Sequence, residues 1–90
     1  MATKVHNLNG TSDDRVPAGY SSWLDYWEKN ARKKAGECGC CFHKAEVGAH
    51  VQKVDGLDKS WYIVPLCCKC NSKSSLEEFT VFETLVPVNK

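Results

Sequence analysis

Four cysteines occur in two pairs that have the spacing of metal ligands. Two residues separate Cys38 from Cys41, and two residues separate Cys67 from Cys70. A two-residue spacer lets the backbone turn so that both sulfurs face one point, and two such pairs can supply four thiolates to a tetrahedral zinc ion. We therefore predict a structural Zn²⁺ site formed by these four residues.

The other thiols and a nearby histidine leave further chemistries open. The six cysteines could instead form a disulfide framework. His43 follows Cys41 by two residues and could replace one thiolate as a ligand. Cys40 and Cys68 each adjoin a predicted ligand, so they could exchange with it, pack as small hydrophobic residues, or take part in thiol redox or zinc-sensing chemistry.

The length and the first residues favour a metal over disulfides. Ninety residues predict one domain with a thin core, and such domains often need a metal or cross-links for stability. Residues 1–7 lack the apolar run of a signal peptide, and no stretch is long enough to span a membrane. We therefore expect a cytoplasmic chain with no membrane partner, whose thiols stay reduced.

An amphipathic helix is predicted over residues 22–35. Ser22 has the side chain of a good N-cap, and Trp23, Trp27 and Ala31 recur at the four-residue spacing of one helical face. We interpret both tryptophans as core residues. The alternative is a stacking platform for a base or another ligand.

A dense basic cluster lies in the second half of this helix and consists of Lys29, Arg32, Lys33 and Lys34. Cations near a helix C-terminus are usually solvated and interact favourably with the helix dipole. Contact with nucleic-acid phosphates is the alternative. The formal net charge of +1 gives no overall indication of a nucleic-acid partner.

Two strands are predicted between the cysteine pairs. Every second residue from Val47 to Val51 is small and apolar, so His50 should lie on the opposite face of that strand. Residues 61–64 are aromatic or β-branched and predict the second strand. Pro65 should end it, because proline cannot donate to the hydrogen-bond ladder.

Together these elements predict an α+β fold. It consists of an N-terminal amphipathic helix, a zinc-bound core of knuckle, hairpin, knuckle and short helix, and a C-terminal strand. The single domain 1–90 then divides into a flexible polar arm at 1–19, the helix at 22–35, the zinc-bound core at 38–75 and an extended segment at 76–90. The arm includes the charge run Asp13-Asp14-Arg15.

The order of these motifs resembles that of HNH domains, which belong to the treble-clef, His-Me finger group of ββα-metal folds. The most specific part is Val64-Pro65-Leu66-Cys67 running into Cys70-Asn71, and the resemblance covers about residues 38–73. It implies an HNH-like treble-clef zinc finger. In that family the hairpin and helix form the active site, and the four cysteines hold a structural zinc.

The resemblance also implies catalytic roles for two residues. His50 matches the family's first histidine, which activates water beside a second divalent metal, and Asn71 matches the motif position on the helix. Ala49 stands where active members commonly carry an acidic residue, and Tyr62 stands near the family's central asparagine. Because a hard cation prefers carboxylate oxygen ligands, alanine at this position weakens the predicted catalytic metal site.

Two aspartates on the hairpin loop, Asp55 and Asp58, could replace the missing carboxylate. From these departures we expect a small zinc-stabilised, HNH-like domain that is non-catalytic and binds a protein or a nucleic acid. One alternative is a metal-dependent HNH endonuclease with an altered metal shell. The other is a thiol redox or zinc-sensing protein.

Overall fold

The computed structural model describes residues 2–8, 16–54 and 57–88, and five antiparallel strands in these ranges form one sheet. The strands are β1 (Thr3–Asn7), β2 (Val47–Lys53), β3 (Trp61–Leu66), β4 (Glu78–Val81) and β5 (Val86–Pro87). Their order across the sheet is β4-β1-β2-β3-β5. Two helices accompany the sheet, α1 (Trp23–Ala31) and α2 (Cys68–Asn71).

The hairpin expected between the cysteine pairs is present at the centre of the sheet. Strands β2 and β3 pair from Gln52 opposite Trp61 to Val47 opposite Leu66. Pro65 does not end the second strand as predicted, since it lies inside β3 opposite Gly48. The carbonyl of Pro65 accepts a hydrogen bond from the Gly39 amide at 2.8 Å. This bond joins the end of β3 to the turn that carries Cys38 and Cys41.

One face of the sheet, here called the helix face, is covered by α1. Trp27, Tyr26, Ile63 and Val86 form its buried core. The helix can lie this close because residue 48 is glycine. A Cβ atom at Gly48 would be 2.5 Å from the backbone of Trp23 and Leu24.

The opposite face, here called the metal face, holds a second apolar core. Its buried residues come from four strands and from both cysteine pairs, because side chains alternate between the two faces of a strand. They are Val5, Cys38, Ala49, Val51, Val64, Leu66, Cys67, Cys70, Phe79 and Val81.

The predicted fold class is wrong. An N-terminal amphipathic helix joined to a treble-clef finger is not what the chain forms; it is mostly a five-stranded antiparallel sheet with one short helix and one very short helix. Residues 3–7 were expected in a flexible arm, yet β1 pairs with both β2 and β4 inside the sheet. The expected charge run Asp13-Asp14-Arg15 lies outside the described residues.

The first helix is also shorter than predicted. Its N-cap is confirmed, because the Asp25 amide donates to Ser22 Oγ at 3.0 Å. It ends at Ala31 rather than residue 35, since Arg32 adopts a left-handed conformation with φ of 62° and its amide closes the last turn on the Glu28 carbonyl. Within the described residues, no helix is both long and apolar enough to cross a membrane.

Candidate metal centre

The two cysteine pairs meet on the metal face of the sheet. The Sγ atoms of Cys38, Cys41, Cys67 and Cys70 all lie within 4.8 Å of one another, and all six cysteines are free thiols. A tetrahedral zinc site with Zn–S bonds of 2.3 Å has sulfur–sulfur edges of about 3.8 Å, and Cys41 Sγ lies 3.5 Å from Cys67 Sγ. The four-cysteine cluster could therefore hold a metal ion such as zinc.

The first cysteine pair is held by a tight backbone turn. The Cys38 amide donates to the His43 carbonyl at 2.6 Å, and the Phe42 amide donates to the Cys38 carbonyl at 3.0 Å. Phe42 itself has a φ of 66°, which is uncommon for an aromatic residue. The Cys40 amide lies 3.4 Å from Cys38 Sγ and directs its N–H toward that sulfur. The turn thus supplies two thiols and an amide dipole to one point.

The second cysteine pair begins the short helix α2. Cys67 is its N-cap, and the Cys70 amide donates to Cys67 Sγ at 3.5 Å. The Cys68 amide is bound separately by Glu46 Oε1 at 2.9 Å. These bonds fix the first turn of α2, so the buried thiol of Cys70 faces the other three.

The surroundings shift the pKa values of the clustered thiols in opposite directions. Burial opposes ionisation of Cys38, but backbone amides of Cys41, Cys67 and Cys40 outweigh it and lower the pKa of this thiol to about 7. Burial raises the pKa of Cys70, and the neighbouring sulfurs raise it further. The opposite shifts follow from the different numbers of backbone amides that face each sulfur and from the closeness of the four thiols.

Asn7 supports the cluster from β1, and sequence reasoning missed it. Its Nδ2 donates to the carbonyls of Cys70 and Lys73, both at 3.1 Å, and is 3.4 Å from the carbonyl of Asn71. The side chain is only 2% exposed. It adds a buried donor to the Cys70 carbonyl, which also accepts from the Lys73 amide at 3.2 Å, and to the Lys73 carbonyl just beyond α2. The only sequence signal was its two-residue spacing from Val5.

The two residues predicted as catalytic are not brought together. His50 lies on the helix face as the strand alternation predicted, only 7% exposed, with its ring 4.6 Å from that of Trp23 and 6.0 Å from that of Trp61. Asn71 lies on α2, whose Cys70 packs on the metal face. The sheet therefore lies between the His50 imidazole and α2.

Asp58, one of the two hairpin-loop aspartates that could replace the missing carboxylate, interacts with Tyr62 and Lys53. Asp58 Oδ2 accepts a hydrogen bond from the Tyr62 hydroxyl at 2.6 Å and pairs with Lys53 at 3.5 Å. The Tyr62 hydroxyl lowers the pKa of Asp58 to about 2. Tyr62 packs against the core of the metal face, so this network faces away from His50. Asp55 lies outside the described residues.

The two remaining thiols differ in their surroundings. Cys40 is partly buried and packs against the core of the metal face. Cys68 is exposed, and the negative charge of Glu46 together with some burial raises the pKa of its thiol. The Cys68 thiol is therefore harder to ionise than an ordinary cysteine.

Half of the basic cluster forms ion pairs with the protein's own carboxylates. Lys29 pairs with Asp25 at 3.2 Å, and Lys33 pairs with Glu83 at 2.6 Å. Lys33 also lies 5.8 Å from the ring centre of Trp27. Arg32 and Lys34 are exposed, and among the described residues neither takes part in an ion pair.

Comparison with known proteins gives no family assignment: no protein-family model, curated protein or solved structure matches this chain.

Proposed function

We propose that the chain is a small zinc-stabilised domain, without catalytic activity of its own, that binds a protein or a nucleic acid. Its likeness to HNH domains is confined to the cysteine, hairpin and histidine motifs. The observation that carries the proposal is the convergence of four thiols within 4.8 Å at the edge of a small core.

A structural zinc is supported by what the four cysteines join. Cys38 and Cys41 follow α1, whereas Cys67 and Cys70 connect β3 to α2. A zinc ion would therefore join the two ends of the central hairpin. Structural zinc sites contribute about 10–16 kcal/mol of apparent binding free energy, which is comparable to the whole stability of a typical domain, about 5–15 kcal/mol.

A non-catalytic role is supported by the environment of His50. Its imidazole is covered by Trp23 and Trp61, and the preceding residue, Ala49, is buried on the opposite face. A metal that polarises a scissile phosphate needs an open coordination position and hard oxygen ligands beside the base. Ala49 cannot supply such a ligand, and the rings of Trp23 and Trp61 restrict access to the imidazole.

A binding role is supported by an exposed aromatic pair beside the metal cluster. The rings of Phe42 and Phe82 stack with centres 5.5 Å apart, and the two side chains are 55% and 50% exposed. Aromatic residues are enriched at protein interfaces. Because Lys29 and Lys33 are already paired with carboxylates, a protein fits this surface better than a polyanion does.

Metal content and nuclease activity test the proposal together. We expect about one zinc ion per purified chain and no cleavage of plasmid DNA with magnesium, manganese or nickel. The matched control is His50→Ala. DNA cleavage by the native chain that His50→Ala abolishes would replace our proposal with an HNH endonuclease, whereas a chain with two disulfides and no metal would end the zinc reading.

A further inference from the structure

Cys41 differs from the other three cysteines of the metal cluster. Cys38, Cys67 and Cys70 are buried, but Cys41 is partly exposed. Water and dissolved reagents therefore reach the cluster at this corner. If the site holds a metal, the thiolate of Cys41 is the ligand that is most easily lost.

The imidazole of His43 lies beside this exposed corner. Its Nδ1 is 3.5 Å from Cys41 Sγ. In a tetrahedral zinc site, bonds of about 2.3 Å to sulfur and 2.0–2.1 Å to nitrogen place neighbouring sulfur and nitrogen ligands about 3.6 Å apart. The observed separation is that of a sulfur–nitrogen hydrogen bond and is also close to that of two ligands of one metal. His43 is not a member of the group of four mutually close donors.

The backbone keeps His43 at this position. The Cys38 amide donates to the His43 carbonyl at 2.6 Å, and Glu37 pairs with Lys44 in an isolated β-bridge across the same turn. These two contacts join the backbone just before Cys38 to the backbone just after Cys41, so the main chain of His43 is held beside the cysteine pair. Its imidazole thus stays beside Cys41 Sγ, the corner that a metal held by the other three sulfurs would leave open.

We propose that His43 is a reserve ligand, whose Nδ1 takes the coordination position of Cys41 when that thiolate is lost. This proposal rests on the zinc site proposed above. Cys₃His is an established ligand set for structural zinc, and neutral imidazole is a good ligand for it. The domain would then keep its metal after oxidation or modification of Cys41, its partly exposed ligand. The metal would still link the two ends of the β2–β3 hairpin.

Cobalt(II) reconstitution of substituted chains tests the proposal, because sulfur-to-cobalt charge-transfer absorption grows with the number of thiolates. Cys41→Ala should still bind one tetrahedral Co(II), with absorption corresponding to three thiolates. Adding His43→Gln should weaken its cobalt binding by tenfold or more, which is about 1.4 kcal/mol or more. The matched control adds His6→Gln to Cys41→Ala and should leave cobalt affinity unchanged.

A second pair of variants tests whether the reserve ligand serves this corner specifically. Cys70 lies on α2, so His43→Gln should not alter the cobalt affinity of a chain carrying Cys70→Ala. The proposal is overturned if Cys41→Ala binds no cobalt, or binds it equally well with and without His43. Failure of the underlying zinc proposal gives a different result, because the native chain would then show no four-thiolate cobalt spectrum.

Discussion

The two faces of the central sheet are stabilised by different means. On the helix face, Trp27, Ile63 and Val86 bury apolar surface against one another and α1. On the metal face, strand residues such as Val51 and Leu66 pack beside three buried cysteines. The strands supply both cores by simple alternation, but among the described residues the cysteines join only the core of the metal face. The metal face is completed by thiols that could hold a metal ion.

Loss of the metal should therefore have the largest effect, and it should begin on the metal face. Cys67→Ser removes a ligand and changes the N-cap of α2. We expect at least residues 38–75 to unfold, since a structural zinc contributes about 10–16 kcal/mol of apparent binding free energy. Thermal melting and amide NMR spectra would measure this. Cys68→Ser, which changes the exposed neighbouring thiol, is the control and should melt like the native chain.

An unchanged melting curve and dispersed amide spectrum for Cys67→Ser would show that the metal face does not depend on its thiols. The comparison between the two faces would then fail.

Truncation on the helix face should have the next largest effect. Trp27 is fully buried, and its Nε1 donates to the Thr84 carbonyl at 2.8 Å. Trp27→Ala should lower the free energy of unfolding by about 3–5 kcal/mol, measured by urea unfolding of the zinc-loaded chain. The less buried Trp23 provides the control, because Trp23→Ala should lower it less. If Trp27→Ala alters the four-thiolate cobalt spectrum below the unfolding transition, the two faces are not energetically separate.

Substitution of Asn7 on β1 should have a smaller effect, and it should change both the stability of the fold and the affinity for zinc. Asn7→Ala removes one buried donor from the carbonyls of Cys70 and Lys73, of which Cys70 still accepts from the Lys73 amide, and we expect a cost of about 1–3 kcal/mol. Asn7→Asp keeps the shape but presents an acceptor to those carbonyls, so it should be at least as destabilising. Urea unfolding and competition with a zinc chelator measure both consequences. Equal stability of Asn7→Asp and the native chain would show that packing, not hydrogen bonding, matters here.

The smallest expected effect concerns alkaline pH and the hairpin-loop network. The hydrogen bond to Asp58 raises the pKa of Tyr62. The contribution of this hydrogen bond to stability is therefore fully present between about pH 4 and about pH 10, the ordinary pKa values of aspartate and tyrosine. It is lost as pH rises through the raised tyrosine pKa and as pH falls through the lowered pKa of Asp58. Asp58→Asn should return the pKa of Tyr62 toward its ordinary value, as measured by NMR titration of the phenol ring carbons. The rings of Tyr20 and Tyr26 are internal controls; an unmoved Tyr62 titration would contradict the assigned cause.

The sequence predicted those features whose signals are local. The C-x2-C spacing identified four cysteines that come together, Ser22 marked the start of α1, and alternation placed His50 opposite Ala49. Each of these depends on residues within a few positions of one another. The HNH resemblance, by contrast, assigned roles to His50 and Asn71 from their order in the chain, and order does not determine which face of a sheet a later helix covers.

The features that the sequence did not predict depend on distant partners. Residues 3–7 look like a polar arm because His6 and Asn7 interrupt the apolar pattern. Asn7 is nevertheless buried, and its amide donates to carbonyls more than 60 positions away. Pro65 looks like the end of a strand, but the Gly39 amide binds its carbonyl. The helix was extended past Ala31 because its good helix formers continue, whereas Arg32 adopts the left-handed conformation that ends it.

Zinc K-edge X-ray absorption on the purified chain, combined with metal analysis, tests the central claim most directly. We predict about one zinc per chain, bound by four sulfur atoms at about 2.3 Å. A chain without zinc and with Cys38, Cys41, Cys67 and Cys70 joined in disulfides would contradict this account. So would a zinc ion bound mainly by nitrogen and oxygen atoms.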